Sequence, residues 1–229
     1  MEQKQTILVI GLGRFGISIC EELVESGQYV IAADLDKEAV EKISPLVDFC
    51  AQLDATDEDL LVKIGAKEAD IAVVAIGSSI EASILITTIL RGLGIPRVIS
   101  RARTPLHAKA LARVGAHKVV FPERDMGRKL ADLLVHPWLS TFSPVPGYGF
   151  LVGEMKALPS MLDKPLAELD FQNRYNGILL LLERDGERFL PRPGSLIREG
   201  DRLLVAGMEE DIEKLIEKKE RETNGENGG

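Results

Sequence analysis

The chain has 229 residues, 45% of them hydrophobic, and a formal net charge of −8, enough apolar material for one large core or for a larger and a smaller one. Its longest apolar runs, such as Ile71 to Ile76 and Ile178 to Leu182, are strand-sized and far short of the roughly 18 residues that span a bilayer, so an integral membrane protein is not expected. The acidic balance disfavours a chain that coats nucleic acid, which requires Lys and Arg to neutralise phosphates, and no nucleic-acid partner is expected. Charge is nonetheless uneven. Between Arg97 and Lys129 nine basic residues face only Glu123 and Asp125, a set that reads mainly as solvated helix faces.

The opening Met-Glu-Gln-Lys-Gln leads straight into an apolar strand, without the pattern of a secretory signal, so a cytoplasmic location is expected. The two cysteines, Cys20 and Cys50, read as small core residues rather than a disulfide or metal framework.

In chain order, strands are expected at Thr6 to Ile10, Tyr29 to Ala33, Val47 to Leu53, Asp70 to Ile76, Arg97 to Ser100 and Lys118 to Phe121. Helical spacing falls between and after them, at Phe15 to Glu25, Lys37 to Ile43, Asp57 to Ile64, Ile80 to Leu93, Leu106 to Val114 and Met126 to Val135. Near-continuous apolar strands alternating with helices predict a parallel sheet covered on both faces, the doubly wound α/β architecture. Thr56-Asp57-Glu58-Asp59 supplies a capping hydroxyl and acids at a helix start.

Beyond His136 the pattern changes. Pro137, Pro144, Pro146, Gly147 and Gly149 crowd together and read as a linker. A smaller α+β domain follows, with strands at Phe150 to Ala157, Ile178 to Arg184 and Asp201 to Ala206, a tight turn at Asp185-Gly186, and helices at Met161 to Leu169 and Glu209 to Glu220. The expected division is 1–136, a linker 137–147, a second domain 148–220 and a disordered tail 221–229.

Gly11-Leu12-Gly13-Arg14-Phe15-Gly16 follows the first strand and opens the first helix, with Asp34 about 20 residues on. In that context Gly11 permits the tight turn, Gly13 lets a pyrophosphate approach the backbone, and Gly16 lets helix and strand pack closely. Asp34 is placed to accept hydrogen bonds from a ribose, and its charge disfavours the 2′-phosphate of NADP. Asp54-Ala55-Thr56 and Ile76-Gly77-Ser78 end the third and fourth strands and so border the ligand crevice. Asp54 has a second reading as a helix cap.

No catalytic set accompanies the elbow. His107, His117 and His136 lie in or beside helices and turns without an arrangement that suggests a poised acid or base, and the second domain lacks a cluster of ionisable groups suited to hydride transfer. A bound nucleotide without chemistry implies a sensor.

These residues resemble the RCK-domain regulators of Trk and Ktr potassium transporters, the KtrA/TrkA family. The resemblance runs through Gly11 to Gly16, Leu53-Asp54-Ala55-Thr56, Val74-Ala75-Ile76-Gly77, Phe121-Pro122-Glu123-Arg124-Asp125-Met126-Gly127, and Ile197 to Gly207. It implies a Rossmann-like RCK N-terminal domain, a smaller RCK C-terminal domain and a regulatory subunit that is not an enzyme. It also implies a homodimer that assembles into an octameric ring on a membrane potassium-translocating subunit of the KtrB/TrkH type, at the inner face of the plasma membrane. The implied ligand is ATP or ADP, with NAD or NADH as the alternative.

The candidate cofactor-binding set is then Gly11, Gly13, Arg14, Phe15, Gly16, Asp34, Leu35, Asp54, Ala55, Thr56, Ile76, Gly77, Ser78 and Arg101. Arg14 and Arg101 are the resemblance's candidates for phosphate, Arg14 across a dimer interface. Glu123 is its candidate for a divalent cation, Mg2+ or Ca2+, between neighbouring subunits, against the plainer reading of a surface residue or salt-bridge partner. Some relatives bind cyclic di-AMP between paired C-terminal domains. The corresponding region here includes Tyr175, Asn176, Pro191 and Pro193, with Gln172 where such relatives carry a phosphate-binding Arg. The rival classes are an NAD-dependent oxidoreductase, an NAD-sensing RCK regulator of another channel or antiporter, and a transcriptional repressor, the last disfavoured by acidity and by the lack of a helix-turn-helix before Thr6.

Overall fold

A computed structural model describes residues 4–225, with side chains described to residue 222. The chain divides into two compact units, Met1–Gly127 and Arg128–Gly229.

The first unit is built on strands β1 (Thr6–Ile10), β2 (Tyr29–Asp34), β3 (Phe49–Gln52), β4 (Ile71–Val74), β5 (Arg97–Arg101) and β6 (Lys118–Val120). They form one sheet of order β3-β2-β1-β4-β5-β6, with every neighbouring pair parallel. Helices α1 (Arg14–Glu25), α2 (Lys37–Ile43), α3 (Glu58–Lys63), α4 (Ile80–Gly92) and α5 (Pro105–Arg113) connect them. A parallel connection must cross over the sheet, and here helices cover both faces. Cys20 and Ile43 pack with Val9, Val30 and Ala32 on one face, while Leu61, Ile86 and Leu90 pack with Leu8, Ile10, Val74 and Val98 on the other. Strands are added outward in one direction from β1 to β3 and in the other from β4 to β6, so a crevice opens beyond the carboxyl ends of β1 and β4.

Helix α6 (Pro122–Val135) leaves β6 and carries Met126, Leu130 and Leu134, spaced four apart, exposed at 63%, 55% and 74%. The helix begins four residues earlier than the apolar spacing suggested, because Pro at its first position is compatible with a helix start.

The second unit holds a five-stranded sheet of order β10-β9-β11-β8-β7, all pairs antiparallel, from β7 (Phe142–Val145), β8 (Phe150–Lys156), β9 (Gly177–Arg184), β10 (Glu187–Phe189) and β11 (Arg202–Met208). Asp185 and Gly186 join β9 to β10 with φ of 52° and 82°, the positive values a tight primed hairpin turn needs. Helix α9 (Glu209–Gly225) buries Ile212, Leu215 and Ile216 in the core with Met155, Leu203 and Val205.

Three local expectations need correction. The segment 137–147 is not merely a linker: Phe142–Val145 is an edge strand paired with β8, and Pro144 is accommodated because an edge strand can spare a ladder donor. In place of one helix at Met161 to Leu169 there are α7 (Leu166–Leu169) and α8 (Phe171–Tyr175), broken by the left-handed residues Asp163 and Asp170. The tail expected from 221 is helical through Gly225 as part of α9, and 226–229 lie outside the described residues.

Candidate functional site

β1 ends at Ile10, and the chain turns through three residues into α1. Gly11 takes φ of 97°, and a Cβ there would come within 3.0 Å of the Ile76 amide nitrogen, so the turn lies flush against the end of β4. A Cβ on Gly16 would stand 1.9 Å from the Gly11 carbonyl oxygen. No side chain fits there, and this absence lets α1 approach the turn. Gly13 differs from both. Its φ is −73°, which any residue tolerates, and a Cβ would meet nothing within 4 Å. Its outer face is open space at the start of a 12-residue helix that has no side-chain cap and no acid in its first turn. Unpaired N–H groups and the positive end of the helix dipole favour an anion at such a place.

Asp34, the last residue of β2, has its carboxylate tied to backbone on both oxygens. One oxygen accepts from the Leu12 N–H inside the glycine turn and the other from the Asp36 N–H at 2.8 Å. It therefore stitches the elbow to the β2 end. Each carboxylate oxygen keeps a further lone pair for a hydroxyl donor. The neighbouring Leu35 is 67% exposed.

Asp54 does not cap α3; that cap is Asp57, whose carboxylate accepts from the Asp59 and Leu60 N–H groups. The Thr56 hydroxyl, which also was expected to cap, instead donates to Asp54 at 2.7 Å, and the Thr56 N–H does so at 2.9 Å. These hydrogen bonds from Thr56 hold the Asp54 carboxyl below its ordinary range. Ala55 is buried in the core.

Arg101 closes the far side of the crevice. It is the last residue of β5, and its guanidinium lies across Gly77, where a Cβ would come within 2.6 Å of Nη1. The guanidinium carbon is 6.0 Å from the centre of the Phe15 ring, on the first turn of α1. Nη2 donates to Glu123 Oε1 in a short ion pair, and the buried Nε has no partner among the described residues. Gly11, Gly13, Phe15, Gly16, Ile76, Gly77, Arg101 and Glu123 are thus linked by contact or by shared backbone into one crevice. Arg14 and Ser78 stand exposed at its border. The Arg101–Glu123 pairing was not anticipated; only the alternative reading of Glu123 as a salt-bridge partner pointed to it.

Each of the three histidines has a protein group close to its ring. His107 is buried on α5, where burial and then Arg103 lower its pKa, and its Nδ1 accepts from the Arg103 N–H at 3.3 Å. His117 accepts from the Val98 N–H at 2.9 Å. His136 lies 3.7 Å from Glu213. Cys20 is buried, which pushes its thiol up to about 12, and both cysteines are free. In the second unit, Gln172, Pro191 and Pro193 line a surface depression of about 310 Å3 with Phe171 and Ile178, whereas Tyr175 and Asn176 line a separate one with Lys214 and Lys218. The four residues suggested for a second ligand therefore do not converge within one chain.

Sheet order, glycine elbow and anion-favouring crevice define the class, a Rossmann-type binding domain joined to a small α+β domain. Two family models match, the TrkA-N domain at residues 7–122 and the TrkA-C domain at residues 155–219. Over 208 residues the chain is 34% identical to Ktr system potassium uptake protein A of Bacillus subtilis (strain 168), covering 90% of this chain and 93% of that one. It is also 34% identical to Ktr system potassium uptake protein C of the same organism over 213 residues, covering 93% and 96%.

The chain belongs to the TrkA/KtrA family of RCK potassium uptake proteins, a regulatory and non-enzymatic family. Among solved structures, the GsuK channel bound to NAD superposes with a TM-score of 0.53 at 23% identity, over 95% of this chain. This chain spans 39% of that channel's length, and the likeness speaks for the fold alone. No helix among the described residues is long and apolar enough to cross a membrane.

Proposed function

We propose that the chain binds an adenine nucleotide at the glycine elbow and, through it, gates a membrane potassium-translocating subunit of the KtrB/TrkH type. The observation that carries this is the open, uncapped start of α1 at Gly13, in a turn whose Gly11 packs on Ile76, with the Arg101 guanidinium against Gly77 and 6.0 Å from the Phe15 ring on the first turn of the same helix. Phosphates rest on the free N–H groups of the first turn, where the helix dipole and the Arg101 guanidinium both favour negative charge. The spare lone pairs of Asp34 accept from ribose hydroxyls, and its charge repels a 2′-phosphate. ATP or ADP is the leading ligand because Arg101 offers a site for a terminal phosphate; NAD or NADH is the second reading, favoured by the same Asp34. Arg14, exposed at the first position of α1, extends toward phosphate from this chain or a neighbouring one.

One chain does not build a divalent cation site at Glu123. Among the described residues no group of three or more His, Cys, Asp or Glu side chains is arranged to hold a metal, and the Glu123 carboxylate is engaged by Arg101. Mg2+ or Ca2+ there would need donors from phosphate and from a second subunit.

Gating is a population shift: each nucleotide favours one inter-subunit arrangement by its difference in affinity, typically 1–3 kcal/mol per coupled site, and assembly of several sites multiplies that preference. The assembly proposed is a homodimer built into an octameric ring at the inner face of the plasma membrane. The exposed Met126, Leu130 and Leu134 stripe of α6 supplies an apolar seam for a second copy.

Gly13→Ala tests the site cleanly. Ala suits the backbone there and touches no other atom, so the melting temperature changes only by the modest cost of Ala as a helix N-cap, about 1 kcal/mol or less, while the added methyl fills the space a phosphate needs. Ligand-induced thermal stabilisation by ATP or ADP, readable at about 2.7 kcal/mol for ligand at a hundred times its Kd, should fall sharply in the variant. Equal stabilisation of variant and parent would place the ligand elsewhere.

A further inference from the structure

We propose that Arg91 and His117 form a second anion site at the amino ends of β5 and β6, one that takes the phosphate oxyanion, as the free ion or as a phospholipid headgroup. The site lies at the opposite end of the strands from the glycine elbow and does not rest on the nucleotide reading.

His117 stands immediately before β6, and its Nδ1 accepts from the Val98 N–H at 2.9 Å. A neutral imidazole carries one proton, so a ring that accepts at Nδ1 holds that proton at Nε2. Nε2 in turn faces Arg91 Nη1 at 3.2 Å, and a guanidinium nitrogen can only donate. Two N–H donors therefore meet head to head. Both are held there. Arg91, in the last turn of α4, also donates from Nη1 to the Ile95 carbonyl at 3.1 Å, and its side chain lies over Gly115, where a Cβ would come within 3.1 Å of Nε. His117 is fixed by Val98 but exposed to solvent. An oxygen that accepts from both groups completes the pair.

The surroundings carry the matching charge. Between Glu81 and Glu123 the chain has no acid, although its net charge is −8. Arg97 starts β5, Lys118 starts β6 and Arg113 ends α5; all three are exposed, and among the described residues neither they nor Arg91 form an ion pair with a carboxylate. Exposed cations elsewhere are paired, as Lys37 is with Glu41 and Arg221 with Glu217. A carboxylate would bring one charge and two coplanar oxygens. A phosphate brings up to two charges and a tetrahedral set of oxygens, so that one group accepts from Arg91 and His117 and keeps further oxygens for the flanking cations.

Thermal denaturation of the full-length chain in sodium phosphate, against sodium chloride of equal ionic strength, tests this. Phosphate well above its Kd should raise the melting temperature of the parent by a few degrees, and sodium acetate should do markedly less. Arg91→Gln removes the fixed charge, and His117→Asn keeps an acceptor for Val98 while removing the Nε2 donor; each should lose most of the gain. Phosphate that settles at the start of α1 stabilises parent and variants alike, so the difference between them reads this site. Sedimentation of the parent, but not of Arg91→Gln, with phosphatidylglycerol vesicles would identify the source as a headgroup; the melting difference without sedimentation would identify it as the free ion. The same melting gain in parent and both variants, with no difference between them on vesicles, overturns the proposal, as does a gain in acetate that matches the gain in phosphate.

Discussion

Gly16 shows how much of the site is decided by single atoms. A methyl group there would stand 1.9 Å from the Gly11 carbonyl oxygen, a backbone atom that cannot rotate away. Gly16→Ala should therefore destabilise the first unit by about 2 kcal/mol, the usual cost of forcing a methyl into a filled space, and urea unfolding measures it. Asp201 plays the corresponding part in the second unit. Fully buried, it takes two hydrogen bonds from Arg184, each at 2.7 Å, and one from the Arg198 N–H at 2.9 Å. Burial pushes its carboxyl up, but the Arg184 and Arg198 hydrogen bonds outweigh that and hold it below the ordinary range. Its folded pKa is therefore below its unfolded value of about 3.9. The stabilisation is present above that pH and is lost as pH falls through the folded value. Asp201→Ala should cost about 3 kcal/mol at neutral pH by stranding Arg184, and the acid limb of a stability-against-pH curve should flatten in the variant. Residue roles were unevenly legible. The three glycines follow from spacing and context, since Gly-x-Gly-x-x-Gly after a strand has a steric meaning. Asp34's grip on Leu12, Thr56's turn toward Asp54 and the Arg101–Glu123 pair depend on side-chain placement that no spacing encodes.

Among elements, the alternation of the first unit was legible because its strands are buried on both faces and read as continuous apolar runs between amphipathic helices. The second unit was less so. β7 is four residues long, lies at a sheet edge and contains Pro144, so neither length nor composition marks it as a strand. The stretch from 159 to 175 has enough apolar residues for a helix, yet positive φ at Asp163 and Asp170 breaks it into short pieces that bury Met161, Leu169 and Phe171. Helix α6 carries the element-scale prediction. Met126, Leu130 and Leu134 lie in one row, and large exposed apolar rows are expensive to leave in water. Leu130→Asp should shift the chain to a smaller species in size-exclusion chromatography with light scattering while its circular dichroism stays that of the parent. An unchanged oligomer would remove α6 from the proposed seam.

At the scale of the whole molecule, the sheet order and family membership are the firmest features, and they agree: a Rossmann-like domain at 7–122 and a TrkA-C domain at 155–219 occupy distinct compact units. The proposed sensor function adds a ligand to that frame. Its physical core is an anion bound where α1 begins, with the Arg101 guanidinium beside the first turn of that helix. Titration of ligand-stripped, full-length protein with ATP, ADP and NADH by isothermal calorimetry tests it most directly. Saturable heat with at least one of the three, near one molecule per chain and strongly weakened by Gly13→Ala, is the predicted result; no heat with any of them, or equal heat in the variant, would contradict it.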